Sequence, residues 1–215
     1  MAQAFTIGRA FIGDEPCAMI LGDNIFYGNG LGAKLAAAKE AAERGMATIF
    51  GYYVEDPERF GVMEIEKISE EDRNFLVISI EEKPEKPKSN YAVVGLYFYP
   101  AGVSEKADLV RPSARGELEI TSLNEIYLRE GRLTAQLFCR GYTWMDAGTV
   151  DSLRRATNFV CMIEQYQGMS ISAPEEIAYL YGWIGKDQLA ESVKKYGNSP
   201  YGKRLKAVLE DKVIF

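Results

Sequence analysis

The sequence predicts an α/β protein with a mixed sheet and a helical C-terminal extension. Three observations carry that expectation. In the first half, apolar and β-branched runs of strand length alternate with helical segments. In the middle, strand-like runs follow one another as in hairpins. From about residue 170 onward the pattern is helical throughout. The expected division is an α/β domain over 1–169 and a helical extension over 170–215.

Residues 2–12 read as a short helix with Phe5, Ile7, Ala10 and Phe11 partly on one side. Residues 16–22 form an apolar run of strand length that stops at Gly22, where Asp23 and Asn24 follow. Gly30 to Gly45 is rich in Ala, Leu, Lys and Glu, which suits a helix, and Gly45 suits its C-terminal cap. Ala47 to Val54 is a strand by its β-branched and aromatic content, and Asp56-Pro57 is a turn. Gly61 to Glu66 and Phe75 to Ile80 read as strands joined by a polar hairpin loop at 70–74. Tyr91 to Tyr99 is another strand. Ser122 and Glu125 have the spacing of a capping box, with Leu123, Ile126 and Tyr127 following at helical spacing as far as Gly131. Leu133 to Cys139 is a strand leading to Trp144. Thr149 caps a long helix with Leu153, Ala156, Phe159, Val160 and Ile163 on one face, and Gly168 ends it. Pro174, the Gly185 to Tyr196 segment and Ser199-Pro200 start or build the helices of the tail. Leu189, Val193, Leu205, Val208 and Leu209 give that tail apolar faces, expected to pack on the sheet domain or on a second subunit.

Composition narrows the chemistry. With 47% hydrophobic and 26% charged residues in 215, the chain is ordinary globular material. A formal net charge of −6 argues against a general nucleic-acid partner. There is no histidine, which removes histidine acid–base catalysis, Ser-His-Asp triads and histidine-ligated zinc. Cys17, Cys139 and Cys161 are far apart and odd in number, so they read as small buried residues in a reducing, cytoplasmic compartment. No apolar run approaches the ~18 residues of a membrane span, so no membrane partner is expected. The start lacks a basic region with an apolar core behind it, so it does not read as a signal peptide.

The charged residues at strand ends are the candidate site. Asp23 and Asp146 each follow an apolar run. Two strand-end carboxylates can share a Mg²⁺ ion, which prefers a few carboxylates plus phosphate oxygens. A plain Gly-Asp-Asn turn is the competing reading at Asp23. Glu82 and Lys83 follow another strand, within a charge run that also reads as a solvated face, and Arg115 with Glu117 precedes the Ser122 helix. If these strands are parallel neighbours, the group converges on one sheet edge. Two acids with a Lys and an Arg are what phosphoryl or nucleotidyl transfer requires. Gly28, Gly30 and Gly32 lack the GxGxxG spacing and read as turn glycines.

Six segments in order then carry a resemblance: LGDNIFYG at 21–28, DPERFGV at 56–62, SIEEKPEKPKSNYAVVGLYFY at 79–99, PSARGELEITSLNEIYL at 112–128, GYTWMDAGT at 141–149 and ISAPEEIAY at 171–179. Together they span nearly the whole chain, which resembles the sugar-nucleotide pyrophosphorylases, in particular the members that use dTTP. The resemblance implies a Rossmann-like nucleotide-diphospho-sugar transferase fold. The implied reaction joins glucose 1-phosphate and the deoxynucleoside triphosphate into dTDP-glucose, releasing pyrophosphate, for deoxysugar synthesis. It also implies Mg²⁺ as cofactor and a homo-oligomer, tetrameric in the family. Residue by residue, Asp23 and Asp146 match the metal ligands, Glu82 a sugar-hydroxyl contact, and Lys83 and Arg115 sugar-phosphate contacts. Gly61 and Val94 match the lining of the sugar pocket, with Asn24, Gly95, Tyr97 and Trp144 beside them.

The departure is at the start. A family strand and loop of the type GGxGTRLxPxT, and a later Lys in a KQLxP segment, have no counterpart in these 215 residues. The chain is expected to be an N-terminally truncated member, inactive in isolation for want of that loop's phosphate-binding amides. The rival readings are a non-catalytic sugar-phosphate-binding remnant or regulatory subunit, an adenylyl- or uridylyltransferase of the same superfamily, and a glycosyltransferase. The pairing of the Gly-Asp-Asn and Glu-Glu-Lys-Pro segments favours nucleotidyl transfer over the last.

Overall fold

Two short helices, α1 (Gln3–Ile7) and α2 (Arg9–Ile12), open the chain in a computed structural model that describes residues 1–67, 75–168 and 170–212. The single helix expected over 2–12 divides at Gly8. Phe5 turns into the core, whereas Ile7 and Phe11 point to solvent. Then follow β1 (Cys17–Ile20), β2 (Asn24–Gly28), α3 (Leu31–Glu43), β3 (Ala47–Tyr53), a 3-10 turn (Pro57–Arg59), β4 (Gly61–Lys67), β5 (Phe75–Glu82) and β6 (Tyr91–Tyr99). The loop expected at 70–74 lies outside the described residues. After β6 come α4 (Val103–Asp108), α5 (Ile120–Arg129), β7 (Leu133–Phe138) and β8 (Tyr142–Asp146). Helix α5 starts directly after Glu119, so Ser122 and Glu125 lie inside it and form no capping box. Glu125 instead pairs with Arg129 one turn on, at 2.8 Å.

Strand β6 is the centre of the main sheet, whose order is β5-β4-β6-β3-β7. One side of β6 pairs with β3. The other is shared by β4, at Ala92, and β1, which runs from Cys17 opposite Tyr99 to Ile20 opposite Leu96. The sheet is mixed, as expected, but β3–β7 is its parallel pair and the other described pairings are antiparallel. Side chains alternate across β6, as strand geometry requires. Val93, Tyr97 and Tyr99 join a core with Phe5, Val103, Leu123 and Tyr127. Val94 and Leu96 join a second core on the opposite face, with Ala38, Phe50 and Phe138.

Strands β2 and β8 form a separate antiparallel ribbon, from Asn24 opposite Asp146 to Gly28 opposite Tyr142. Glycine is needed at 28 because a Cβ there would stand 2.3 Å from the Tyr142 ring. This ribbon is not expected from sequence, where a turn is the competing reading at Gly22-Asp23-Asn24 and the strand from Leu133 to Cys139 leads on to Trp144.

Contacts divide the chain into two units, Met1–Gly148 and Thr149–Phe215. The second contains α6 (Val150–Gln167), α7 (Pro174–Leu180), α8 (Lys186–Tyr196) and α9 (Pro200–Leu209). The division falls before α6, whereas the sequence expectation kept that helix with the α/β domain. Glu164 of α6 accepts the backbone N–H of Ile171 at 2.9 Å, tying the helix to the segment that follows it. Thr149 caps α6 as expected, its hydroxyl accepting from the Ser152 N–H at 3.1 Å. Leu189, Leu205 and Val208 are the unit's own core, with Val193 and Leu209 against them, so the apolar faces of the tail pack on one another. Among the described residues no helix is long and apolar enough to cross a membrane. Cys139 and Cys161 are exposed, contrary to expectation, and all three cysteines are free.

Candidate active site

A cavity of about 530 Å³ opens in the α/β unit on the face of β6 that carries Val93, Gly95 and Tyr97. Asp23, Asn24, Gly61, Glu82, Lys83 and Asp146 all line it. They arrive there by antiparallel pairing rather than through parallel strand ends. Asp23 sits in the turn between β1 and β2, held as its carbonyl accepts the Ala147 N–H at 2.7 Å. Asp146 ends β8 directly opposite Asn24. Their carboxylates approach the same point: a Cβ placed on Gly148 would lie 3.1 Å from Asp146 Oδ1 and 3.5 Å from Asp23 Oδ2.

Asn24 fixes that corner. Its Oδ1 accepts from the Gly95 N–H at 2.9 Å and from Trp144 Nε1 at 2.7 Å, while its Nδ2 donates to Asp23 Oδ1 at 2.8 Å. One side chain thus joins the main sheet, the ribbon and a carboxylate. The approach is possible because residue 95 is glycine: a Cβ there would meet Asn24 Oδ1 and Leu21 at 2.7 Å. Trp144 stands against Phe60 edge-on, with ring centroids 5.2 Å apart, and forms a wall of the cavity.

The opposite end is built by the β4–β5 hairpin and α5. Gly61 faces Glu82 across the ladder, and a Cβ on it would stand 3.1 Å from Thr121 Oγ1 and 3.3 Å from Glu82 Oε2. The Thr121 hydroxyl donates to Glu82 Oε2. Lys83 adopts the left-handed backbone region at φ 44°, which costs a non-glycine residue about 1–2 kcal/mol. Its N–H donates to the Phe60 carbonyl at 3.0 Å, and this holds the turn that brings Lys83 to the cavity. Burial first, and then the Glu82 charge, hold the Tyr97 phenol well above its usual pKa, so it remains a neutral hydroxyl.

Two expected residues are placed differently. Arg115 does not line the cavity. Its guanidinium stands 3.7 Å from Glu82, 3.5 Å from Glu117 and 3.6 Å from Glu119. Val94 is fully buried on the far face of β6, and Val93 takes the place expected for it. A shift of one residue in a strand exchanges the faces. Sequence reasoning also passed over Arg59, Phe60 and Thr121, although each lies within a segment quoted for the resemblance.

Among the described residues no group of three or more His, Cys, Asp or Glu could hold a metal ion alone. The donor set nonetheless fits a hard divalent cation. Two carboxylates converge, each uses one oxygen for an internal hydrogen bond, and Mg²⁺ ordinarily draws its remaining ligands from water and phosphate.

The fold and this carboxylate- and lysine-lined cavity make it an α/β protein with a polar cleft on one sheet face, and the comparisons with known proteins give its family. The nucleotidyl transferase family model matches residues 1–162, and the chain belongs to that family. It is 50% identical over 208 residues to the glucose-1-phosphate thymidylyltransferase of Xanthomonas campestris pv. campestris (strain B100), covering 97% of this chain and 68% of that one. The Mycobacterium tuberculosis (strain ATCC 25618 / H37Rv) enzyme of the same name is 45% identical over 210 residues, with coverage of 98% and 70%. Among solved structures, a glucose-1-phosphate thymidylyltransferase from Bacillus anthracis in complex with a sucrose matches with TM-score 0.61 and 40% identity, over 74% of this chain and 60% of that one. A UDP-glucose pyrophosphorylase complexed with UDP-glucose shares the fold, with TM-score 0.65 at 23% identity, over 79% of this chain and 62% of that one.

Proposed function

We propose that the cavity is the metal and sugar-phosphate half of a nucleotidyl transfer site, and that the protein's reaction makes dTDP-glucose from dTTP and glucose 1-phosphate. A phosphate oxygen of glucose 1-phosphate forms a bond to the α-phosphorus of dTTP. The bond from that phosphorus to the bridging oxygen breaks, and pyrophosphate leaves with the electron pair. The observation that carries the reading is the convergence of Asp23 and Asp146 over Gly148 in the cavity that Glu82 and Lys83 also line.

Asp23 and Asp146 would hold Mg²⁺, which when bound neutralises charge on the phosphate oxygens. Asn24 keeps the Asp23 carboxylate in orientation. Glu82, oriented by Thr121, accepts hydrogen bonds from sugar hydroxyls. Lys83 meets the sugar phosphate as a point charge, and Arg115 supports it through Glu82. Gly61 and Gly95 let backbone and ligand approach closely. The protein contributes positioning and charge compensation, which is what phosphoryl-group transfer mostly requires. On this reading it works in the cytoplasm as a homo-oligomer. The exposed Tyr166, Tyr181 and Trp183 of the helical unit support an assembled form.

The test is pyrophosphate release from dTTP, Mg²⁺ and glucose 1-phosphate, run beside calorimetric titration of each ligand. A polypeptide of these 215 residues, which carries no GGxGTRL segment, is expected to bind Mg²⁺ and glucose 1-phosphate and to turn over far below ~1 s⁻¹. Ordinary turnover by this polypeptide would show that the segment is dispensable. Absence of both ligand affinities would remove the proposal.

A further inference from the structure

Three carboxylates, Asp23, Glu82 and Asp146, line a cavity that on the reading above receives phosphate esters. Cations must offset them. Lys83 is one. Arg115, the other expected from sequence, stands among the carboxylates of Glu82, Glu117 and Glu119 and does not line the cavity. A different arginine does. Arg59 ends the 3-10 turn two residues before Gly61 and lines the same cavity.

Arg59 is held for a task rather than left loose, although its side chain is 57% exposed. Its Nη1 donates to Asp56 Oδ2 at 2.7 Å. Its guanidinium carbon lies 5.4 Å from the centroid of the Phe60 ring. Phe60 in turn packs on Trp144, which donates to Asn24 and so joins the corner that carries Asp23. The hydrogen bond and charge of Asp56, with a smaller contribution from Asp146, keep the guanidinium firmly protonated. Among the described residues the Arg59 guanidinium hydrogen-bonds to Asp56. Most of its five N–H donors remain available in a fixed planar fork, the geometry that meets two oxygens of a phosphate at once.

We infer that Arg59 is an anion-binding residue of this cleft, that its guanidinium takes oxygens of the substrate phosphate together with Lys83, and that Asp56 is its positioning residue. The inference deepens the nucleotidyl-transfer reading and rests on it.

The experiment uses the full chain, titrated with glucose 1-phosphate by calorimetry in Mg²⁺ and with glucose by ligand-observed NMR. Arg59→Gln is expected to weaken glucose 1-phosphate binding about tenfold or more, as loss of a charged hydrogen bond does, and to leave the glucose signal unchanged. Arg59→Lys should recover part of the affinity, because it restores the charge without the fork. Asp56→Asn should give a smaller loss than Arg59→Gln. Melting curves of the variants should match that of the unaltered chain, since the side chain is exposed. If Arg59→Gln binds glucose 1-phosphate as the unaltered chain does while Lys83→Gln loses affinity, Arg59 is no ligand and the nucleotidyl-transfer reading survives. Equal loss of glucose and glucose 1-phosphate binding in Arg59→Gln would make the residue structural and overturn the inference. If the unaltered chain binds no glucose 1-phosphate, both fall.

Discussion

Glu175 and Glu176 of the helical unit and Asp23 and Asp146 of the α/β unit differ in how fully their carboxylates are hydrogen-bonded. In the helical unit both oxygens of Glu176 accept from Arg204, at 2.8 and 2.6 Å, and both oxygens of Glu175 accept tyrosine hydroxyls, from Tyr196 and Tyr201. In the cavity, Asp23 takes one hydrogen bond from Asn24 and Asp146 takes one from the Gly148 N–H at 3.0 Å. The second oxygen of each accepts none from the described residues. A satisfied carboxylate serves the fold. On the reading proposed above, the two half-satisfied ones facing one point leave oxygens for a cation to complete. Glu176 and the Asp23–Asp146 pair therefore make opposite predictions, and each can be tested.

The largest effect is expected in the helical unit. The Glu176 and Arg204 side chains are only 8% and 11% exposed. Glu176→Ala would leave a buried guanidinium without this carboxylate and should cost about 3–5 kcal/mol in denaturant unfolding. Replacing both residues by methionine should recover most of the loss, since an apolar pair of similar volume has no charge to desolvate. A silent Glu176→Ala would break the comparison on its structural side.

On the functional side, Asp146→Asn should lower Mg²⁺ affinity by about a hundredfold, because a divalent cation loses one of two carboxylates. The same substitution should leave unfolding free energy unchanged or slightly raised, by relief of repulsion with Asp23. Calorimetry and a denaturant titration on one sample check both halves. A drop in stability comparable to that of Glu176→Ala would mean that Asp146 is structural.

A smaller effect is expected at Gly95, where the two kinds of role meet. Alanine there would press on Asn24 Oδ1 and Leu21, and such overpacking costs typically about 1–3 kcal/mol. Displacing Asn24 would also release Asp23, so Gly95→Ala should weaken Mg²⁺ binding more than its stability loss suggests. Glycine-to-alanine at 131, where the left-handed φ of 67° is strained but a Cβ meets nothing within 4 Å, gives the contrast: some stability lost and no metal affinity.

The sequence made legible the elements marked by composition or a cap. The α3 helix, the Val- and aromatic-rich β6 and the Thr149 cap stand where propensity and capping put them. What it hid is long-range pairing. NIFYG and YTWMD are each five residues long, and neither announces that it pairs with the other across more than a hundred positions of chain. That ribbon is what brings Asp146 opposite Asn24, so the motifs pointed to the two carboxylates while their meeting place stayed illegible. Val94 was misassigned for a related reason: β6 is buried on both faces, so its apolar run carries no alternation to show which valine faces the cavity. Arg59 is silent in sequence because an exposed arginine beside an aspartate reads as an ordinary surface ion pair.

The smallest predicted effect sharpens the structural side by pH. The Tyr201 hydroxyl first, and then that of Tyr196, hold the Glu175 carboxyl below its ordinary pKa of 4.5. The folded state therefore favours the ionised form. This contribution to stability is present above pH 4.5 and is lost as pH falls through the lower folded value. Burial, and then the hydrogen bond to Glu175, push the Tyr201 phenol from 10.0 up to about 12. The folded state favours the neutral phenol, so this second contribution is present below pH 10 and is lost as pH rises toward 12. Tyr201→Phe removes the hydroxyl that serves both, at a cost of about 1 kcal/mol near neutrality. The gap between the two proteins should be widest on the plateau between those limits and should narrow as Tyr201 ionises above pH 10. It should also narrow in acid, where Glu175 loses its charge. Denaturant unfolding across that range, followed by far-UV circular dichroism, measures the gap directly. A gap independent of pH would show that the hydroxyl acts through packing alone and that Glu175 owes its ionisation to other neighbours.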